Sequence, residues 1–166
     1  IRGILKGFEE FRLCELINKV PKMICAQAAG CSPIYNAFSS NKETISRVET
    51  PHTIARAIAN PYPPSGNEVL RKIRENRGII VAVTDEEILR AQRRLAGEAI
   101  FGQPASAVPL AAVDKLRKEH MLTKNDTVVC IVTGSGLKST AILKEHNLKV
   151  LHSRLEDLDR LIENQL

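Results

Sequence analysis

The chain of 166 residues is 43% hydrophobic and 26% charged, with a formal net charge of +5 and no tryptophan, which suits one ordinary globular core and excludes fibrous or disordered classes. No apolar run approaches the roughly 20 residues that span a bilayer, and "IRGILKGFEEF" carries charges where a signal peptide is apolar, so the expectation is a soluble, cytoplasmic protein with no membrane partner. Basic residues alternate with acids in segments such as "LRKIRENRG" and meet no aromatic platform, which reads as solvated helix faces and excludes nucleic acid as an expected partner.

Ile4, Leu5, Phe8, Phe11 and Leu16 recur at helical spacing and predict an amphipathic helix over residues 2–18, ending before Pro21. No N-cap precedes it and the chain opens on isoleucine, so Ile1 reads as a cut end of a longer protein. "KMICAQA" reads as a buried strand, followed by Gly30 and a helix opening near Ser32 and Pro33. Three capping boxes place helices further on: Ser65 with Glu68, Thr84 with Glu87, and Ser153 with Glu156. Gly78 and Gly97 stand where glycines close helices. "GIIVAV" and "TVVCIV" are continuous apolar runs, the pattern of parallel strands covered on both faces, and "LKVLH" is a short third. "PASAVPLAAVDKLRKEH" is a helix with an alanine-rich face. The alternation predicts an α/β fold, a doubly wound, mostly parallel sheet flanked by helices, over residues 1–150, with a capped terminal helix in 151–166. Cys14, Cys25, Cys31 and Cys130 form no C-x-x-C pair and sit mostly inside apolar runs, so they read as buried reduced thiols rather than metal ligands or disulfides.

The segment "TVVCIVTGSGLKST" ends in glycines and Lys-Ser-Thr, yet it lacks a phosphate loop: Leu137 and Val132 hold the two positions where G-x-x-x-x-G-K-[ST] requires glycine. What it offers is one hydroxyl, Thr133, at the carboxyl end of an expected strand, in a turn that Gly134 and Gly136 allow to be tight. In an open α/β sheet that edge is where ligands bind.

Taken together, "VPKMICAQAAGCSPIYNAF", "TIARAIANP", "VTDEEILRAQRRLAGEAIFGQPASAVPLAAVDKL" and "VVCIVTGSGLKS" resemble the C-terminal half of the threonine synthase family, pyridoxal-phosphate enzymes of the tryptophan-synthase-β group, or fold type II. The resemblance implies that residues 1–150 are part of a large cofactor domain. It also implies that pyridoxal phosphate, an electron sink, is held by a lysine imine, a glycine-rich phosphate loop and a neutral hydroxyl facing the pyridine nitrogen. Thr133 matches that hydroxyl, the alternative being a threonine that merely ends a strand, and Gly134 joins it as cofactor-binding. Ala55 matches a small residue beside the ring, the alternative being helix packing. Gln103 stands where relatives usually carry glutamate and is left a lining role, with Ser106 beside it. No lysine of this chain falls at the imine position, so the catalytic lysine and the phosphate loop are expected upstream of Ile1, and the isolated chain is expected to be inert and not to bind the cofactor. The implied reaction of the longer protein, expected to be a homodimer, turns a phosphorylated amino acid, O-phospho-L-homoserine, and water into L-threonine and phosphate. Rival expectations are a cysteate-synthase-like enzyme or dehydratase with the same cofactor, and a non-catalytic ligand-binding domain on the same scaffold.

Overall fold

The computed structural model describes residues 1–146 and 154–163. Two strands, β1 (Ile24–Ala28) and β2 (Ile79–Val83), pair in parallel with Ile24 opposite Ile79 and Ala28 opposite Val83. Alternation along each strand sends side chains to opposite faces. Cys25 and Ile80 turn to one face, where α2 (Pro33–Ser39) and α3 (Gly66–Glu75) cover them with Ile34, Leu70 and Ile73. Ala28, Val81 and Val83 turn to the other, beneath α4 (Asp85–Gly97) and α5 (Pro104–Lys118) with Ile88, Ala107 and Ala111. Helices on both faces of a parallel sheet make the α/β layer expected from the sequence. Burying a residue such as Leu70 or Ile88 completely contributes about 1.5–3 kcal/mol, and the alanines of α5 let its backbone lie close to the sheet.

The first helix, α1 (Arg2–Leu13), is shorter than the predicted 2–18 and buries only Leu5 of its apolar residues. Glu15, in the left-handed region at φ 59°, turns the chain out of it. Ion pairs from Lys72 to Glu9, at 2.9 Å, and from Arg2 to Glu68, at 2.8 Å, hold it against α3. Those partners also dissolve the first expected capping box: Ser65 precedes α3 but makes no side-chain cap bond, its hydroxyl accepting from Arg2 at 3.4 Å, while the Glu68 carboxylate pairs with the same guanidinium. The second box forms in full, with the Thr84 hydroxyl accepting from the Glu87 amide and the Glu87 carboxylate accepting from the Thr84 amide. Ser153 of the third lies outside the described residues, as does "LKVLH"; α6 (Leu158–Glu163) follows.

Helix ends depart from expectation in a consistent way. Gly78 and Gly97 are not the left-handed closers; Arg77 and Ala99 are, at φ 54° and 59°, and Glu15, Asn41 and His120 do the same for α1, α2 and α5. In each case the next residue bonds back to a carbonyl five positions earlier, as Ile100 does to Leu95 and Gly78 to Ile73, which is the Schellman closure. An L side chain in this region costs about 1–2 kcal/mol, part of which glycine gives back as unfolded-state entropy. Ala99→Gly should therefore raise stability by about 0.5–1 kcal/mol in urea unfolding, with an unchanged or lower midpoint counting against this account of the helix end.

The start of α2 is likewise held from a distance. Ser32 does not cap it; the Gln27 side-chain oxygen, from β1, accepts from the amides of Ile34 and Tyr35 at 3.0 and 2.9 Å. Burial pushes the Cys25 thiol up to about 11, so it is inert as a nucleophile. Cys31 is buried too, but Cys14 is exposed and Cys130 half-buried, which corrects the expectation of four buried thiols.

The run "TVVCIV" forms no strand among the described residues. A β-branched run takes strand form only when a neighbour completes its hydrogen bonds, and β1 and β2 pair only with each other here. Val129 is left 80% exposed and Ile131 50%. The chain is thus expected to bind a hydrophobic dye and to self-associate at micromolar concentration; sedimentation as a dye-silent monomer would contradict that.

Candidate functional site

Four of the five residues singled out in the sequence come together where the segment before α5 meets the loop after Val132. The two segments are joined by backbone bonds from Gln103 N–H to the Gly134 carbonyl, at 3.0 Å, and from Gly136 N–H to the Phe101 carbonyl, at 2.7 Å. Gly136 has no room for a side chain because its Cα faces the Phe101 ring, 2.5 Å from where a Cβ would lie. The Ser106 hydroxyl, in the first turn of α5, sits at the centre. It accepts from Gly134 N–H at 2.8 Å, donates to the Gly134 carbonyl at 3.0 Å, and lies 3.2 Å from Thr133 Oγ1. Ser106 is fully buried, whereas Thr133 is exposed and Gln103 and Gly134 are half-buried.

Proton counting leaves two arrangements. Ser106 has one hydroxyl hydrogen; while it serves the Gly134 carbonyl, the Thr133 hydroxyl donates to Ser106. The Gly134 carbonyl keeps Gln103 N–H in either case, so Ser106 is free to turn its hydrogen to Thr133, which then donates outward. An exposed hydroxyl such as that of Thr133 can donate to a ring nitrogen of a flat aromatic heterocycle, while the side of Gly134 where a Cβ would lie is taken up by the Gln103 side chain, with Nε2 2.6 Å away.

Ala55 does not join the cluster. It is completely buried, packed in the core with Ala105, Ala107 and Val108 of α5, which is the helix packing given as its alternative. Its placement comes from Asp85 at the start of α4, which accepts from the Thr53 hydroxyl at 2.6 Å and from the Ile54 amide at 3.1 Å. Residues 56–58 form a single turn of 3-10 helix.

Two residues that the sequence reading passed over lie directly behind the cluster. Gln92 of α4 is fully buried, and its Nε2 donates to the Gly102 carbonyl at 2.7 Å. Its Oε1 accepts from His146 Nε2, 2.7 Å away, while Arg93 Nε donates to His146 Nδ1 at 3.0 Å. A signal was present: Gln92 falls in the apolar stripe Ile88, Ala91, Leu95, where a lone amide asks for partners. His146, far along the chain, had none.

Burial and then the Arg93 charge hold His146 below the ordinary histidine value of 6.5, with Glu145 opposing. A histidine whose folded value is depressed adds stability that is complete above the unfolded value and is lost as the pH falls through the folded one. Ring-proton titration should therefore place His146 below pH 6.5, and the chain should lose stability on acidification below that point by an amount that His146→Gln removes. A midpoint above 6.5 would show that the ring is not held neutral.

Two surface grooves share no residue with the cluster. One, of about 330 Å³, runs between α4 and α5 and is lined by Arg90, Arg94 and Lys118 among others; the second, of about 210 Å³, follows β2. The Arg94–Asp114 pair, at 2.6 Å, crosses the first, whose side chains are largely solvated, in keeping with a charged helix face. Among the described residues no three His, Cys, Asp or Glu side chains gather as metal ligands, and no helix is long and apolar enough to cross a membrane.

The parallel sheet between helices suits the class that the comparison defines: this chain belongs to the pyridoxal-phosphate dependent enzymes, whose family model matches residues 1–134. Pyridoxal phosphate is the cofactor of that family. Among its relatives, the threonine synthase of Methanocaldococcus jannaschii is 42% identical over 139 residues, covering 83% of this chain and 34% of the relative. That of Mycobacterium tuberculosis is 37% identical over the same length, covering 83% and 36%. The chain thus spans about a third of the curated relatives it matches. Among solved structures, maize serine racemase superposes with a TM-score of 0.63 at 18% identity, over 80% of this chain and 41% of that one. A serine ammonia-lyase from Rhizomucor miehei superposes with a TM-score of 0.60 at 19% identity, over 77% and 41%. At those identities the likeness shows the fold, which is the type II arrangement.

Proposed function

We propose that this chain forms one wall of the cofactor site in a threonine synthase, a homodimer that converts O-phospho-L-homoserine and water to L-threonine and phosphate. The observation that supports this most strongly is identity of 37–42% to threonine synthases over 139 residues, above the 18–19% to the structures with other reactions. The cofactor would supply an electron sink for the carbanions that phosphate elimination requires.

On this reading Thr133 donates to the pyridine nitrogen, and Ser106, turning its single hydrogen from the Gly134 carbonyl to Thr133, keeps that donor oriented. A hydroxyl, unlike a carboxylate, leaves the ring nitrogen unprotonated and so moderates its electron withdrawal. Gly134, without a side chain, lets Gln103 lie against the backbone beside Thr133, and Gln103, an amide, lines the edge without acting as a base. The imine lysine and the phosphate loop would come from the part of the protein outside this chain.

Phosphate release by the intact protein tests the substrate. O-phospho-L-homoserine should give phosphate and threonine in equal amounts, with none from O-phospho-L-serine plus sulfite and no ammonia from L-serine. Activity confined to either of the latter would transfer the chain to a cysteate-synthase-like enzyme or a dehydratase. Failure to bind pyridoxal phosphate at all would favour a ligand-binding domain.

A further inference from the structure

The geometry assigns to Gln92 a positioning role in the candidate cofactor site: its amide clamps the Gly102 carbonyl, and His146, held as the Nε2–H tautomer by Arg93, fixes which way that amide points. The assignment to a cofactor rests on the function proposed above; the clamp itself rests only on geometry. Gly102 can only accept through its carbonyl, so the atom 2.7 Å from it must be the Gln92 NH2. The remaining Gln92 oxygen can only accept, which requires a hydrogen on His146 Nε2. The other ring nitrogen must then be bare, and it is the one that receives Arg93 Nε–H. Three bonds thus form one consistent chain, and among the described residues no buried side-chain polar atom is left without a partner.

The chain matters because of where it ends. Gly102 lies in a tight space, with the Ser106 Cβ 3.2 Å and a Val132 methyl 3.4 Å from where its own Cβ would be. It pairs with Ser135 across an isolated antiparallel bridge, and the next residue, Gln103, holds the Gly134 carbonyl. Anchoring the Gly102 carbonyl from behind therefore sets both segments that present Ser106, Thr133 and Gly134. His146 closes the far end of the segment Gly136–His146 that follows the glycine turn, two 3-10 pieces kinked at Ser139, so a single amide ties α4 to the start and the finish of the loop pair. Packing alone would not need an amide, since methionine fills nearly the same volume without donor or acceptor.

Amide hydrogen exchange on the chain in the absence of cofactor tests the clamp. Gln92→Met should speed exchange at Gln103, Gly134 and Gly136 by about tenfold or more while leaving Ile80–Val83 of β2 unchanged. His146→Gln, which keeps a side-chain N–H for the Gln92 oxygen, should restore most protection relative to His146→Leu. In the intact protein the same Gln92→Met change should weaken pyridoxal phosphate binding by about tenfold. Unchanged exchange in Gln92→Met, or exchange raised equally in β2, would overturn the clamp and leave Gln92 a core residue. A wild-type protein that binds no pyridoxal phosphate would instead overturn the function while the exchange result still judged the clamp.

Discussion

Gly30→Ala should cost about 3 kcal/mol or more and leave little folded protein. Gly30 is exposed and its φ is not positive, so neither burial nor conformation marks it. The obstacle is backbone: a Cβ there would lie 1.6 Å from the His52 carbonyl oxygen and 2.7 Å from its carbon. A flexible side chain could swing aside, but these atoms cannot. The His52 amide donates to the Gly30 carbonyl at 2.9 Å, and the following residues are pinned by Asp85, so separating the two segments breaks a bond and pulls on the start of α4. Gly97→Ala is the contrasting substitution. Nothing lies within 4 Å of its would-be Cβ, and it ends α4 in helical conformation, so alanine should add up to about 1 kcal/mol. Urea unfolding of the two variants should move in opposite directions; equal small shifts would show that residues 30 and 52 are not packed as described.

Ser106→Ala should be the most damaging of the small changes at the candidate site. It removes one hydroxyl that three groups use: Gly134 N–H, the Gly134 carbonyl and Thr133 Oγ1. The carbonyl retains Gln103 N–H. Among the described residues the Gly134 amide retains no other partner, and a donor left unpaired away from water costs about 1–3 kcal/mol. Unfolding free energy should fall by about 2 kcal/mol, and in the intact protein pyridoxal phosphate should bind about tenfold more weakly as Thr133 loses its orientation. If stability falls and cofactor affinity does not, Ser106 is a structural residue of the α5 start and nothing more.

Much of this architecture was legible because local chemistry and global packing agree. "KMICAQA", read as a buried strand, and the continuous apolar run "GIIVAV" became a parallel pair, and Thr84 with Glu87 capped α4 as the spacing requires. The failed caps have one physical origin, competition from partners outside the local motif. Glu68 is drawn from its box by Arg2, and α2 is capped by Gln27 rather than Ser32. The left-handed helix ends fall on Arg77 and Ala99 rather than on the nearby glycines, which are kept glycine by other demands or by none: at Gly78 a Cβ would lie 2.5 Å from the Met23 carbonyl, while Gly97 has open space. The run 127–132 carries strand propensity without a strand partner. At the site, Thr133, Gly134, Ser106 and Gln103 were named from the motif and do converge, whereas Ala55 was claimed by the core and Gln92 with His146 became visible only once α4 and the segment ending at His146 were side by side.

Pyridoxal phosphate affinity in the intact protein, compared between Thr133→Ser and Thr133→Val, tests the central claim most directly. Serine keeps the donor that Ser106 orients, and valine keeps the shape without it. The account predicts near wild-type affinity for Thr133→Ser and a loss of about 1 kcal/mol, some fivefold, for Thr133→Val, with a larger fall in turnover. Wild-type affinity, cofactor spectrum and rate in Thr133→Val would contradict it and leave Thr133 as a surface hydroxyl beside a glycine turn.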